Sequence, residues 1–111
     1  MEKLNQLLKK IDIPVVVEGK SDVAVLEKMG VKRIVPLNGR PLFKVVKEVA
    51  EKSKEVLVLT DYDSEGRKLA HKLNVLFTSS GVQPWREMRR KIGKAITEEG
   101  RYAIEEIDPE E

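Results

Sequence analysis

Asp61 and Asp63 stand one residue apart in TDYDSEG, residues 60–66, directly after the aliphatic run Val56 to Leu59. In extended chain that spacing points both side chains the same way, so two hard oxygen ligands can converge. Mg²⁺ takes near-octahedral oxygen coordination, keeps several waters and commonly uses one or two carboxylates while a substrate phosphate fills further positions. Asp and Ser also abound wherever a strand turns into a helix, so the pair alone leaves both readings open. Glu18, in VVVEGKSD at residues 15–22, adds a third carboxylate at the end of another apolar run. Like charges brought together raise one another's pKa and repel unless a cation or a shared proton compensates. A metal cluster of Glu18, Asp61 and Asp63 is therefore expected if the two runs are neighbouring strands. The alternative is that Glu18 caps the next helix or faces solvent.

The elements that must position these acids alternate between strand and helix. Leu4, Leu7, Leu8 and Ile11 have helical spacing, and Pro14 disfavours helix in the residue before it. Val15 to Val17 is too continuous to alternate, as expected for a strand buried on both faces. Ser21 or Asp22 can cap a helix with Val25, Leu26 and Met29 on one side, ending at Gly30. A second strand is expected near Arg33 to Leu37, stopping at Asn38-Gly39, then a helix with Leu42, Val45, Val46 and Val49 on one stripe. The third strand is Val56 to Thr60, Ser64 can cap a helix burying Leu69, Ala70 and Leu73, and Val75 to Thr78 reads as a fourth strand. This succession predicts an α/β fold, a three-layer α/β/α Rossmann-like domain with a four-stranded, mainly parallel sheet. Right-handed crossovers would bring Glu18, Asn38, Asp61 and Thr78 to one sheet edge, where such sheets bind ligands.

The 111 residues, 41% of them hydrophobic, fit a single domain over 1–111: a core at about 14–80, a basic helix at about 84–96 and an acidic C-terminal tail. A net charge of +2 is too small to mark a general polyanion binder, so nucleic-acid contact must come from a local patch. The absence of Cys removes thiolate metal sites, disulfides and cysteine catalysis, and fits a reducing, cytoplasmic setting. No apolar run approaches the roughly 20 residues of a membrane span.

VVVEGKSD at 15–22 with VLVLTDYDSEGRKLA at 56–70, separated by one strand and helix, resembles the Toprim family of topoisomerases, primases and nucleases. Glu-Gly-Lys followed by Asn38-Gly39 is most similar to the branch of the nuclease that matures 5S ribosomal RNA and its small stand-alone relatives. The resemblance implies that Glu18 acts as general acid/base and sometimes as metal ligand, and that Asp61 and Asp63 bind Mg²⁺, with Mn²⁺ as a substitute. In phosphodiester chemistry the metal neutralises charge on phosphate oxygens while a carboxylate moves the proton. Gly19 and Gly66 would let backbone approach a phosphate, and the helix after Ser64 offers amide donors to an anion. Topoisomerases use a tyrosine nucleophile from a separate domain; Tyr62 and Tyr102 are poorly placed to serve as one.

Lys20, Arg40 and Arg67 adjoin the strand ends and are the expected phosphate contacts. Within WREMRRKIGK, Trp85, Met88, Ile92 and Ile96 share one helical face, and Arg86, Arg89, Arg90 and Lys94 are expected on the opposite, exposed one. A solvated face balanced by Glu87 and the acidic tail explains the same charges. His71 is expected away from the motif edge, and Trp85 against the sheet.

Three functions fit these residues. The first is a metal-dependent enzyme that cuts or transfers phosphodiester bonds in RNA or DNA. The second is a nucleic-acid-binding module that needs a protein partner to supply an accessory domain. The third is a receiver-like phosphoacceptor domain, which requires an acidic pair after the first strand where this chain has Glu18-Gly19-Lys20.

Overall fold

A computed structural model describes residues 2–107; residues 108–111 of the expected acidic tail lie outside the described residues. The elements run α1 (Glu2–Lys9), β1 (Val15–Val17), α2 (Lys20–Lys28), β2 (Ile34–Pro36), α3 (Leu42–Ala50), β3 (Glu55–Val58), α4 (Ser64–Ser79), β4 (Gln83–Pro84), α5 (Arg86–Thr97) and a 3₁₀ turn at Ile104–Glu106. The four strands form one parallel sheet in the order β2-β1-β3-β4.

Alternation along the strands builds two cores. Val15, Val17, Leu57 and Leu59 point to one face, where α1, α2, α5 and the 3₁₀ turn contribute Leu4, Leu8, Leu26, Ile92, Ile96 and Ile104. Val16, Val56 and Val58 point to the other, under Val45, Val46 and Val49 of α3 and Ala70, Leu73 and Phe77 of α4. All three residues of β1 are fully buried, which accounts for their unbroken β-branched character. The three-layer α/β architecture read from the sequence is the one observed.

The fourth strand is not where the sequence pattern placed it. Residues 75–78 continue α4, because Ala70, Leu73, Asn74 and Phe77 extend one buried helical stripe and no Gly or Pro intervenes before Gly81. Val75, the β-branched residue that suggested a strand, is 48% exposed on the outer face of that helix. Thr78 consequently lies on α4, donating its hydroxyl to the Asn74 carbonyl, and not at the edge with the acids. The parallel partner of β3 is the short β4, whose Gln83 and Pro84 are in register with Glu55 and Val56.

Two caps also differ from expectation. Gly19 is the N-cap of α2, and Asp22 in its first turn accepts a hydrogen bond from the Gly19 N–H at 3.0 Å. Asp63, not Ser64, caps α4 through the Gly66 N–H at 2.7 Å.

Candidate metal and phosphate site

The chain moves outward from β1 to β2 by way of α2, then returns across β1 to β3, so the direction of winding reverses between β1 and β3. Ligands of open parallel sheets bind outside the carboxyl ends of strands at such a reversal. Glu18 follows β1 and Asp61 lies just beyond β3. Glu18 Oε2 accepts the Asp61 N–H at 2.9 Å, joining residues 43 apart in sequence.

Burial lifts the Glu18 carboxyl above its ordinary value of 4.5; the Asp61 amide opposes this, and the negative charges of Asp61 and Asp22 reinforce it. Asp22, almost wholly buried, is likewise raised by burial, with the charges of Asp61 and Glu105 adding to the effect. Asp22 therefore belongs to the acidic edge. Its spacing from Glu18 gave no signal, because Glu18 and Gly19 precede α2 and the four-residue step to Asp22 is not a helical turn.

Asp61 Oδ1 accepts the Ile104 N–H at 3.0 Å, so the C-terminal 3₁₀ turn fixes this carboxylate. Asp63 is exposed, and its Oδ1 is directed onto the first turn of α4. The expected convergence of three carboxylates is thus seen for Glu18 and Asp61, while Asp63 faces its own helix. Among the described residues no group of three or more His, Cys, Asp or Glu side chains is arranged to hold a metal ion. The donor chemistry still suits Mg²⁺: two hard-oxygen side chains at mutual cost in charge match an ion that takes one or two carboxylates and completes its shell with water and phosphate.

The glycines divide. A Cβ on Gly66 would collide with the backbone carbonyl of Asp61, and the Gly66 carbonyl accepts the Thr60 hydroxyl at 2.6 Å. Gly66 is demanded by this internal contact rather than by an incoming phosphate. Gly19 has an extended backbone, and a Cβ there would meet nothing within 4 Å. The fold alone does not require glycine at that position.

Arg89 is the largest departure from the sequence reading. Instead of joining Arg86, Arg90 and Lys94 on an exposed face, it turns inward. Its Nη1 donates to the carbonyls of Val58 at 3.2 Å and Thr60 at 2.8 Å, and its Nη2 to that of Asp61 at 3.0 Å. The guanidinium lies 4.2 Å from the centroid of the Tyr62 ring, and the Tyr62 hydroxyl donates to the Arg89 carbonyl at 2.7 Å. Gly93 makes room, since a Cβ there would strike that ring. Burial pulls Arg89 below its usual value, opposed by Tyr62 and by the negative charges of Asp61 and Glu18. A fixed cation therefore backs the acidic edge. Burial also raises the Tyr62 phenol, whose hydroxyl is committed as a donor to the Arg89 carbonyl. The legible signal was spacing: Arg89 and Gly93 fall four and eight residues after Trp85, on the inward face.

The other expected cations are dispersed. Lys20 opens α2 and Arg67 lies in the first turn of α4, both exposed at the acidic edge. Arg40 is tied down, bonding the carbonyls of Pro36 and Leu37 and pairing with Glu48 at 2.9 Å. Arg90 is paired with Glu87. Arg86 follows Trp85, whose N–H bonds Val56 toward the far end of β3, so it is not brought to the acids. Trp85 packs against the core and donates its indole N–H to Glu55 at 3.0 Å, and His71 is exposed on α4.

The Toprim domain profile matches residues 14–99, which takes in β1, β3, both acidic motifs and α5. The chain belongs to the Toprim domain family. It is similar to a UPF0292 protein of Methanocaldococcus jannaschii, 35% identical over 98 residues that cover 82% of this chain and 77% of the relative. A UPF0292 protein of Pyrococcus abyssi is 35% identical over 107 residues, covering 96% of this chain and 80% of the relative. A solved structure of a protein from Aquifex aeolicus superposes with a TM-score of 0.81 at 27% identity, covering 96% of this chain and 97% of that one. None of these relatives bears the name of the 5S-maturing nuclease, so the finer resemblance to that branch belongs to the proposal below. No helix among the described residues is long and apolar enough to cross a membrane.

Proposed function

We propose that the chain acts on nucleic acid by Mg²⁺-dependent cleavage or transfer of a phosphodiester, at the junction of Glu18 and Asp61. The observation that carries this reading is the 2.9 Å bond from the Asp61 N–H to Glu18, which unites two acidic motifs at the reversal point of the sheet. Bound there, Mg²⁺ would supply charge neutralisation on the phosphate oxygens, held by Asp61 and Glu18, and Asp63 would join them by giving up the Gly66 amide.

The chain's own residues supply the rest. Glu18 has a carboxyl raised by burial, which brings it closer to the range where a group can both accept and return a proton near neutrality. Gly19 presents open backbone beside it, Lys20 and Arg67 offer cations to flanking phosphates, and Arg89 holds the Asp61 backbone in place. Structured RNA, including 5S precursor-like hairpins, is the first substrate class to screen, with DNA second.

The test is incubation of the purified chain with such substrates in Mg²⁺ or Mn²⁺. Cleavage is expected, and it should fall by at least about a hundredfold in the Asp61→Asn/Asp63→Asn double variant, the usual scale of lost acid/base and metal assistance. Cleavage that survives in the double variant overturns the assignment.

A second reading is favoured by one specific observation: Asp61 and Asp63 each already serve a backbone amide. In that reading the chain is a binding module that acts with a protein partner. Mg²⁺ would then shift amide resonances near Glu18 and Asp61 while nuclease screens stay blank; turnover by the isolated chain excludes it. Family membership replaces the receiver-like alternative.

A further inference from the structure

We propose that the exposed face shared by α3 and α4 binds a single-stranded segment of nucleic acid, leading it to the acidic edge; this deepens the functional reading above and rests on it. Both helices cover the same face of the sheet, pack on each other, and begin at the edge that carries Glu18 and Asp61. Because Val45, Val46, Val49, Ala70, Leu73 and Phe77 face inward, Lys44 and Lys47 of α3 and Arg67, Lys68 and Lys72 of α4 are left exposed. Arg67, Lys68 and Lys72 line one open hollow together with Ser64 and His71. None of the five cations is in an ion pair among the described residues. The exposed acids are Glu65 of α4 and Glu51 just past the end of α3, since Glu48 is paired with Arg40. On α5, by comparison, Arg90 is paired with Glu87 and Arg89 turns inward onto the β3 carbonyls, and the aromatic residue beside its exposed Arg86, Lys91 and Lys94, Trp85, packs against the core.

A second feature selects the occupant. Phe43, in the first turn of α3, is 66% exposed. It is five residues from Glu48, about 140° around the helix. Glu48 borders a hollow with Ile34 and Val35 of β2, the outer strand of the sheet, so the Phe43 flank is turned away from that edge and toward α4. Unpaired cations match phosphates, and an aromatic ring beside them matches an unstacked base, which a duplex does not offer.

The test is fluorescence anisotropy of the full chain with a labelled oligothymidylate of about 20 nucleotides, in EDTA, over a salt series, against a hairpin duplex. Single-strand binding is expected with a log–log salt slope of about −3.5, five contacts at about 0.7 each. Lys68→Glu/Lys72→Glu should weaken binding at least about tenfold and reduce the slope by about 1.4, and Phe43→Ala should weaken it at least about fivefold. Lys9→Glu/Lys28→Glu, on α1 and α2 across the sheet and with the same change in net charge, should stay within about twofold. The inference is overturned if no strand binds, if the duplex binds equally and Phe43→Ala is silent, or if both double charge reversals weaken binding alike. Because the assay is metal-free and reads binding alone, its failure leaves the metal-site proposal standing, and a blank nuclease screen leaves this surface standing.

Discussion

Glu18 carries opposing demands. Its carboxylate accepts the Asp61 amide, yet burial and neighbouring acids hold its proton more tightly than in the unfolded chain. A carboxyl whose folded value is raised stabilises the fold below its unfolded value, and that contribution is lost as pH climbs from 4.5 through the folded value. Glu18→Gln keeps an oxygen for the Asp61 amide and removes the charge. Its melting temperature should therefore exceed that of the native sequence at about pH 7 and match it at about pH 4. Thermal scans at the two pH values check this, and a variant less stable at neutral pH contradicts it. Saturating Mg²⁺ should raise the native melting temperature and leave Glu18→Gln less affected. The glycines give a paired expectation. Gly66→Ala must displace the Asp61 carbonyl and should cost about 1–3 kcal/mol or more. Gly19→Ala meets no steric clash and replaces only a modest N-cap residue, so it should cost no more than about 1 kcal/mol in urea unfolding, yet reduce cleavage where its backbone would meet phosphate. A Gly19→Ala chain with full activity removes that role.

Among the elements, α5 and the C-terminal 3₁₀ turn do what the short strands cannot. The carbonyls of Val58, Thr60 and Asp61 run past the end of β3, and the Arg89 fork collects all three. Arg89→Met should cost about 3 kcal/mol, since buried acceptors lose charged donors, and Arg89→Lys should recover little of it because one ammonium lacks the planar fork. Urea denaturation measures both. Ile104 is fully buried and its amide fixes Asp61, so Ile104→Ala should cost about 2–5 kcal/mol and weaken Mg²⁺ affinity together. Strands β1 and β3 were legible because burial on both faces leaves unbroken aliphatic runs, and α3 because its stripe repeats cleanly. The overrun of α4 through residues 75–78 was not, because a short apolar run looks alike in a buried strand and in the last turns of a helix. Arg89 was overlooked for another reason: charge suggests solvent, and although its spacing from Trp85 turns it inward, the carbonyls that receive it come together only once the sheet exists.

At the scale of the molecule, winding order decides what meets. The order β2-β1-β3-β4 makes the first and third strands neighbours, and with them two motifs separated by α2, β2 and α3. That adjacency was the condition on which the metal cluster depended; the alternation of elements predicts a parallel sheet but not which strands are neighbours. The sequence could not reveal that Asp22 joins the edge, that Asp63 turns onto α4, or that Arg89 supplies a permanent positive charge behind it, because each depends on side-chain direction after folding. The buried guanidinium also changes the electrostatic account: a divalent ion need not carry the whole compensation for Glu18 and Asp61. The most direct measurement is anomalous diffraction from crystals soaked in Mn²⁺, a stand-in for Mg²⁺. The account predicts a peak within coordination distance of the carboxylates of residues 18 and 61; a map with no peak there, or with manganese bound only elsewhere, contradicts it.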